Sequence, residues 1–189
     1  HDSQSGDYIL CLKARQLGFK VFSDPDMAFA HTGEKTWHGH FGNHLRVQQG
    51  IFTPQFITAV EMLRIGEVGA GVFESLSKSY DIGTHVYSLR ADALHELWQL
   101  ARQAKAPVLE MGSGLSTLVL GLALEGTGQQ VHSLEDHLDS WRKTARLLEH
   151  FGVKNVQLHY LPMEPCGPTD DDLRYAEAEL PESFGLALI

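Results

Sequence analysis

The sequence predicts an α/β protein: a partial parallel sheet wound with helices, preceded by an irregular α+β segment. Three observations predict it. From Pro107 onward, short apolar runs alternate with stretches of helical period, in the order strand, helix, strand, helix, strand, helix, strand. A glycine turn, Gly112-Ser-Gly114, joins the first of these strands to its helix. The 189 residues are 43% apolar and 21% charged, proportions close to those of an ordinary folded domain.

The amino-terminal part is the less regular. Residues 6–22 read as a helix and a strand. Ile9, Leu10, Leu12 and Leu17 give the helix an apolar face, Gly18 ends it, and residues 19–22 alternate as a strand would. Pro25 between Asp24 and Asp26 marks a turn, because proline fixes φ and the aspartates can bond the local backbone. His31 to Gly50 has no clean period and reads as loop. Pro54 to Gly66 reads as a helix with Phe56, Ile57, Val60 and Leu63 inward. Gly66 to Gly83 holds four glycines and reads as a soft stretch, a linker or a mobile lid. Leu89 to Ala104 is a further helix, with Leu89, Ala93, Leu97, Leu100 and Ala104 recurring every three or four residues.

The regular part follows. Val108 to Met111 is a strand and Ser116 to Leu124 a helix, ended by Gly126-Thr-Gly128. Gln130 to Leu134 is the second strand. Asp139 can cap a helix that runs to about Phe151, with Trp141, Ala145 and Leu148 on one face and Gly152 just past its end. Val156 to Leu161 is the third strand. A polar stretch follows, with Asp170-Asp-Asp172 as a solvated turn or helix start and a short helix over Asp172 to Glu179. Phe184 to Ile189 is the fourth strand. The chain thus divides into residues 1–50, a helical linker or lid region 51–105, and a sheet-bearing part 106–189.

Composition narrows the function classes. Lys and Arg total 15 against 24 Asp and Glu, a formal charge of −9. Such an excess of acid argues against a broad phosphate-contact surface, so no nucleic-acid partner is expected. No run approaches the roughly 18 consecutive apolar residues of a membrane span. Two cysteines, Cys11 and Cys166, are too few for a disulfide framework and fit a reducing compartment, which points to the cytoplasm. The first residue is His1, no signal segment follows it, and both ends read as cuts from something longer.

The chemistry concentrates at the glycine turn. Ligands of parallel sheets bind at the carboxyl ends of the strands. Gly112 permits the tight turn, and Gly114 lets a ligand approach the backbone where the helix begins. Glu135 closes the second strand 21 residues after Gly114 (135 − 114), near the offset at which an acid meets a ribose diol. Together these residues describe an adenosine-containing ligand. Thr117 stands where dinucleotide sites favour glycine or alanine. Glu110, two residues before Gly112, is expected beside the charged middle of the ligand. Two unit charges ~4 Å apart interact by about 4 kcal/mol at an effective dielectric of 20. That interaction repels a pyrophosphate and attracts a sulfonium and an ammonium.

Val108-Leu-Glu110-Met-Gly112-Ser-Gly114, followed by Ser133-Leu-Glu135, resembles the class I S-adenosylmethionine-dependent methyltransferases over about residues 72–189. The resemblance implies a Rossmann-like, incomplete methyltransferase fold. It implies that Glu110, Gly112, Ser113 and Gly114 line the methionine part of S-adenosylmethionine, and that Glu135, with Asp136 adjacent, holds the ribose. It further implies that the strands which usually help to bind the methyl acceptor follow Ile189.

Residues 1–45 carry a second resemblance. Ser5-Gly-Asp7, then Gly18-Phe-Lys-Val-Phe-Ser-Asp-Pro25, then His31, is similar to the carboxyl-terminal end of a family 2, GT-A type glycosyltransferase domain. By that likeness Asp7 is a general base on an acceptor hydroxyl, and His31 helps to hold a divalent metal, Mn or Mg. The expected partners are therefore a small-molecule cofactor and a glycan or nucleotide-sugar substrate. His38, His40 and His44 suggest a metal site, but no spaced cysteine or carboxylate completes it, and a polar loop is the expectation. Cys11 reads as buried and inert, and Trp98 and Trp141 as core. The leading expectation is a methyltransferase fragment behind a glycosyltransferase tail. A glycosyltransferase fragment and a non-catalytic binding module are the alternatives.

Overall fold

The computed structural model describes residues 28–32, 36–40, 52–80, 89–166 and 173–189. Asp7, Cys11, His44, the helix and strand expected over residues 6–22, and the acidic run 170–172 lie outside them.

Two short strands, β1 (Ala28–Thr32) and β2 (Thr36–His40), pair antiparallel, with His31 opposite Trp37. This corrects the loop expected from His31 onward. Alternation is hidden there by glycine and histidine, residues that carry little strand signal. His38 and His40 stand in β2, in place of the polar loop expected there.

Three helices follow: α1 (Pro54–Arg64), α2 (Ala70–Tyr80) and α3 (Ala91–Gln103). Thr53 caps α1 by accepting the Phe56 N–H at 3.2 Å, and Pro54 sits at its first turn, where a missing N–H costs nothing. Phe56, Val60 and Leu63 are buried as expected, while Ile57 is only partly so. Helix α2 replaces most of the soft stretch expected over residues 66–83. Its Val72, Phe73, Leu76 and Tyr80 recur at helical spacing and are all buried. The face of α3 is rotated from the expected one: Leu94, Leu97, Trp98 and Ala101 are inside, and Leu100 is exposed. Trp98 turns that face inward by packing its ring edge on Phe73, centroids 6.4 Å apart.

The carboxyl-terminal half forms β3 (Val108–Met111), α4 (Leu115–Leu124), β4 (Val131–Glu135), α5 (Leu138–His150) and β5 (Val156–Tyr160). A hairpin of β6 (Met163–Pro165) and β7 (Leu173–Tyr175) follows, then β8 (Leu186–Leu188). β7 stands where a short helix was expected; its cross-strand bonds to β6 override the helical tendency of the acidic residues around it. Helix α5 is entered through His137, with Asp139 inside its first turn.

β5, β4, β3 and β8 make one parallel sheet in that order. The fold is an α/β, Rossmann-like arrangement: a four-stranded parallel sheet flanked by helices, with small antiparallel pairs. The chain steps from β3 to β4 to β5 in one direction and then crosses to the other side of β3. Right-handed crossovers place α4 and α5 on the same face of the sheet. Helix α4 is apolar all round, and nine of its ten residues are buried. It is enclosed by the sheet on one side and by α1–α3 on the other. Among the described residues no helix is long and apolar enough to cross a membrane.

Candidate functional site

The strand order reverses between β3 and β8, so the crevice of this sheet opens at the carboxyl end of β3, where the glycine turn lies. Gly112 has φ +87°, a left-handed conformation that favours glycine. A Cβ on Gly112 would meet nothing within 4 Å, and one on Gly114 would meet only the Tyr80 hydroxyl, at 3.8 Å. The turn therefore fronts open space.

Its backbone amides are already engaged. Gly112 N–H bonds to the Leu134 carbonyl at 2.7 Å, Ser113 N–H to Glu135 Oε2 at 2.9 Å, and Gly114 N–H to Thr117 Oγ1 at 2.8 Å. A phosphate cradle needs such groups free. Here an anion would find all three occupied and two carboxylates close behind them.

The first carboxylate, Glu110, is not on the open surface. It lies under the turn, fully buried, between β3, β4 and α4. Its Oε2 accepts hydrogen bonds from the Thr117 and Ser133 hydroxyls, both at 2.6 Å, while Oε1 has no partner. Burial raises its pKa to about 7, above an ordinary value of 4.5, against the opposing pull of the Ser116, Ser133 and Thr117 hydroxyls; the Glu135 charge raises it further. The direct ligand contact expected for Glu110 is thus replaced by a position beneath the loop. Even-numbered β3 residues face α4, and the residue two before Gly112 points the same way as Val108.

The second carboxylate, Glu135, closes β4 and is buried. Ser113 Oγ donates to its Oε2 at 2.6 Å, and His137 N–H donates to its Oε1 at 2.9 Å. Each carboxylate oxygen has two lone pairs, so Oε1 keeps one for a ligand hydroxyl. Asp136 beside it is exposed. The Ser113 and Thr144 hydroxyls are 3.1 Å apart, which ties the turn to α5. Glu110, Gly112, Ser113, Gly114, Glu135 and Asp136 therefore gather around one turn.

Two tyrosines join them that the residue pattern did not single out. Tyr80, from α2, lies behind Gly114 with the Lys143 ammonium 4.4 Å from its ring centre. Tyr175, from β7, is partly buried. Burial, then the Asp136 and Glu135 carboxylates, push its phenol above the usual range. Neither tyrosine carries a motif, and both come from elements that the periodicity missed. His31 stands in β1, remote in sequence from this turn, and among the described residues no three His, Cys, Asp or Glu side chains gather as a metal site would require. A separate cavity of about 720 Å³ lies between α1 and α2, lined by Gln55, Met62, Glu67, Val68, Val72 and smaller residues, and none of the turn residues borders it.

No family model matches the chain, and no curated protein matches it.

Proposed function

We propose that the glycine turn binds S-adenosylmethionine and that the chain is the cofactor-binding part of a methyltransferase. One observation carries this reading: the three turn amides are satisfied internally while two carboxylates, Glu110 and Glu135, stand behind them. That arrangement disfavours a pyrophosphate and favours a cation. The open space before Gly112 and Gly114 fits a ligand lying along the turn. Oε1 of Glu135 is suited to accept a ribose hydroxyl, and Asp136 is near enough in sequence to take the second. Glu110 acts from below, through its field and by holding Thr117, which in turn holds the Gly114 amide. Bound S-adenosylmethionine supplies an electrophilic methyl group for an acceptor oxygen or nitrogen. The chain contributes orientation and an acidic, partly dry surface for a charge that is lost at the transition state. A glycan acceptor is proposed from the juxtaposition with the glycosyltransferase-like segment 1–45.

Calorimetric titration with S-adenosylmethionine, S-adenosylhomocysteine and NAD tests the reading. Binding of both adenosyl compounds and none of NAD is expected. Heat from NAD alone would reverse the sign argument. Silence with all three, from folded protein, would leave a non-catalytic module.

A further inference from the structure

Helix α4 starts at the glycine turn and ends at a different feature. Its last turn, the end of α1 and one face of α3 wall a cavity of about 320 Å³. That is the small end of ligand-sized cavities, which run from about 300 to about 1,000 Å³. The floor is apolar. Leu63, Trp98 and Leu122 are 2%, 7% and 3% exposed, and Val68 is partly buried beside them. The rim carries three charged groups, Arg64, Arg102 and Glu125. Arg64, the last residue of α1, donates from Nε and Nη2 to the two Glu125 carboxylate oxygens at 3.1 and 2.9 Å, and Nη2 also donates to the Phe151 carbonyl. This fork neutralises Glu125. Arg102 follows Trp98 by four residues on α3 and so shares its face. Its Nη1 donates to the Ala123 carbonyl at 3.0 Å, which pins the guanidinium at the end of α4. Among the described residues no carboxylate pairs with Arg102, and its Nε and Nη2 make no hydrogen bond. The cavity thus has one net positive charge beside an apolar floor.

We propose that this cavity is a second binding site, for a small monocarboxylate with a compact apolar body, such as a branched-chain or arylacetic acid. The floor takes the apolar body. The Nε and Nη2 edge of Arg102 is a planar pair of donors, which a carboxylate can meet with both oxygens at once. The inference goes beyond the adenosyl reading and uses none of its residues. A purely structural role for Arg102 makes no such demand: a guanidinium on the Ala123 carbonyl secures the end of α4 whether or not a ligand binds.

Selectivity separates the two. The full chain is titrated with phenylacetate, 4-methylpentanoate, phenylacetamide and phenethylamine. The Trp98 indole N–H, identified by its loss in Trp98→Phe, is followed in proton–nitrogen correlation spectra. Both carboxylates are expected to shift that resonance saturably. The amide, which keeps the ring and lacks the charge, and the amine are expected to leave it nearly unmoved. Arg102→Gln is expected to weaken phenylacetate by about tenfold or more. Val68→Phe, which fills the floor and keeps the guanidinium, is expected to abolish binding. Circular dichroism checks that each variant is folded, and the comparison of acid, amide and amine in the parent decides without them. Equal binding of acid and amide, tighter binding of the amine, undiminished binding by either folded variant, or no saturable shift with either carboxylate overturns the site and leaves Arg102 as the cap of α4.

Discussion

Glu110 is a carboxylate in a place that ordinarily rejects charge. It is wholly buried, its Oε1 is unpartnered, and its pKa is raised to about 7. In the unfolded chain the same group titrates near 4.5. Between those values the folded state holds a proton that the unfolded state has released. The stabilisation is therefore complete below about 4.5 and is lost as pH rises through about 7. The displacement corresponds to on the order of 3 kcal/mol. Glu110→Gln keeps the shape and removes the titration. Urea unfolding of both chains between pH 4.5 and 8 should show the parent losing ground to the variant as pH rises, by roughly that amount. Parallel stability curves would show that Glu110 ionises as freely folded as unfolded.

At the scale of elements, α4 is the piece on which the rest is assembled, and Gly121 is where it comes nearest to the turn before β5. A Cβ there would lie 2.6 Å from Val153 Cγ1 and 2.8 Å from Val156 Cγ2. Both neighbours are β-branched and stiff. Alanine would gain about 1 kcal/mol of helix propensity and cost about 1–3 kcal/mol in overpacking. Gly121→Ala should therefore lower the urea midpoint; an unchanged or higher midpoint would mean that Val153 and Val156 yield easily. On the other face of the sheet, His132 and His159 approach to 3.4 Å between ring nitrogens, and burial holds both below the usual histidine range. As pH falls below about 6.5 the unfolded chain takes up these protons first, so stability falls. A His132→Asn, His159→Gln double variant should lose less stability than its parent between pH 6.5 and 5, measured by thermal unfolding. Equal losses would sink the assignment. The regular strands and α4 were legible because a buried parallel sheet writes itself as short apolar runs between glycine turns. Helix α2 was hidden by its glycines, although Val72, Phe73, Leu76 and Tyr80 keep the period. β7 was hidden because a three-residue strand has no period to read. The glycine turn and Glu135 were legible for the same local reason that Tyr175 was not: a turn and the strand end that answers it recur at a fixed offset, and a hairpin folding back does not.

For the molecule as a whole, the sheet order sets the glycine turn, the proposed site, where β3 and β4 end beside the returning chain, with Glu110 below the turn and Glu135 beside it. Charge and proton are then linked. A cationic ligand near the turn favours ionised Glu110, so its binding releases a proton wherever Glu110 would otherwise hold one. Below about pH 7 that release opposes binding; above it the carboxylate is already ionised and the opposition vanishes. Affinity for S-adenosylmethionine should rise as pH climbs through about 7. S-Adenosylhomocysteine lacks the sulfonium charge, and its affinity should change less. The ratio of the two affinities isolates the linkage, because contacts that the ligands would share, including any to Glu135, cancel in it. Calorimetry at pH 6, 7 and 8 measures this ratio in the parent and in Glu110→Gln. A ratio that rises several-fold in the parent and stays flat in the variant would show that the buried carboxylate senses the charge of the ligand through the turn. A ratio independent of pH in both chains would mean that Glu110 does no more than hold Thr117 and Ser133 in place, and the preference for a cation would then have to come from Glu135 and Asp136 alone.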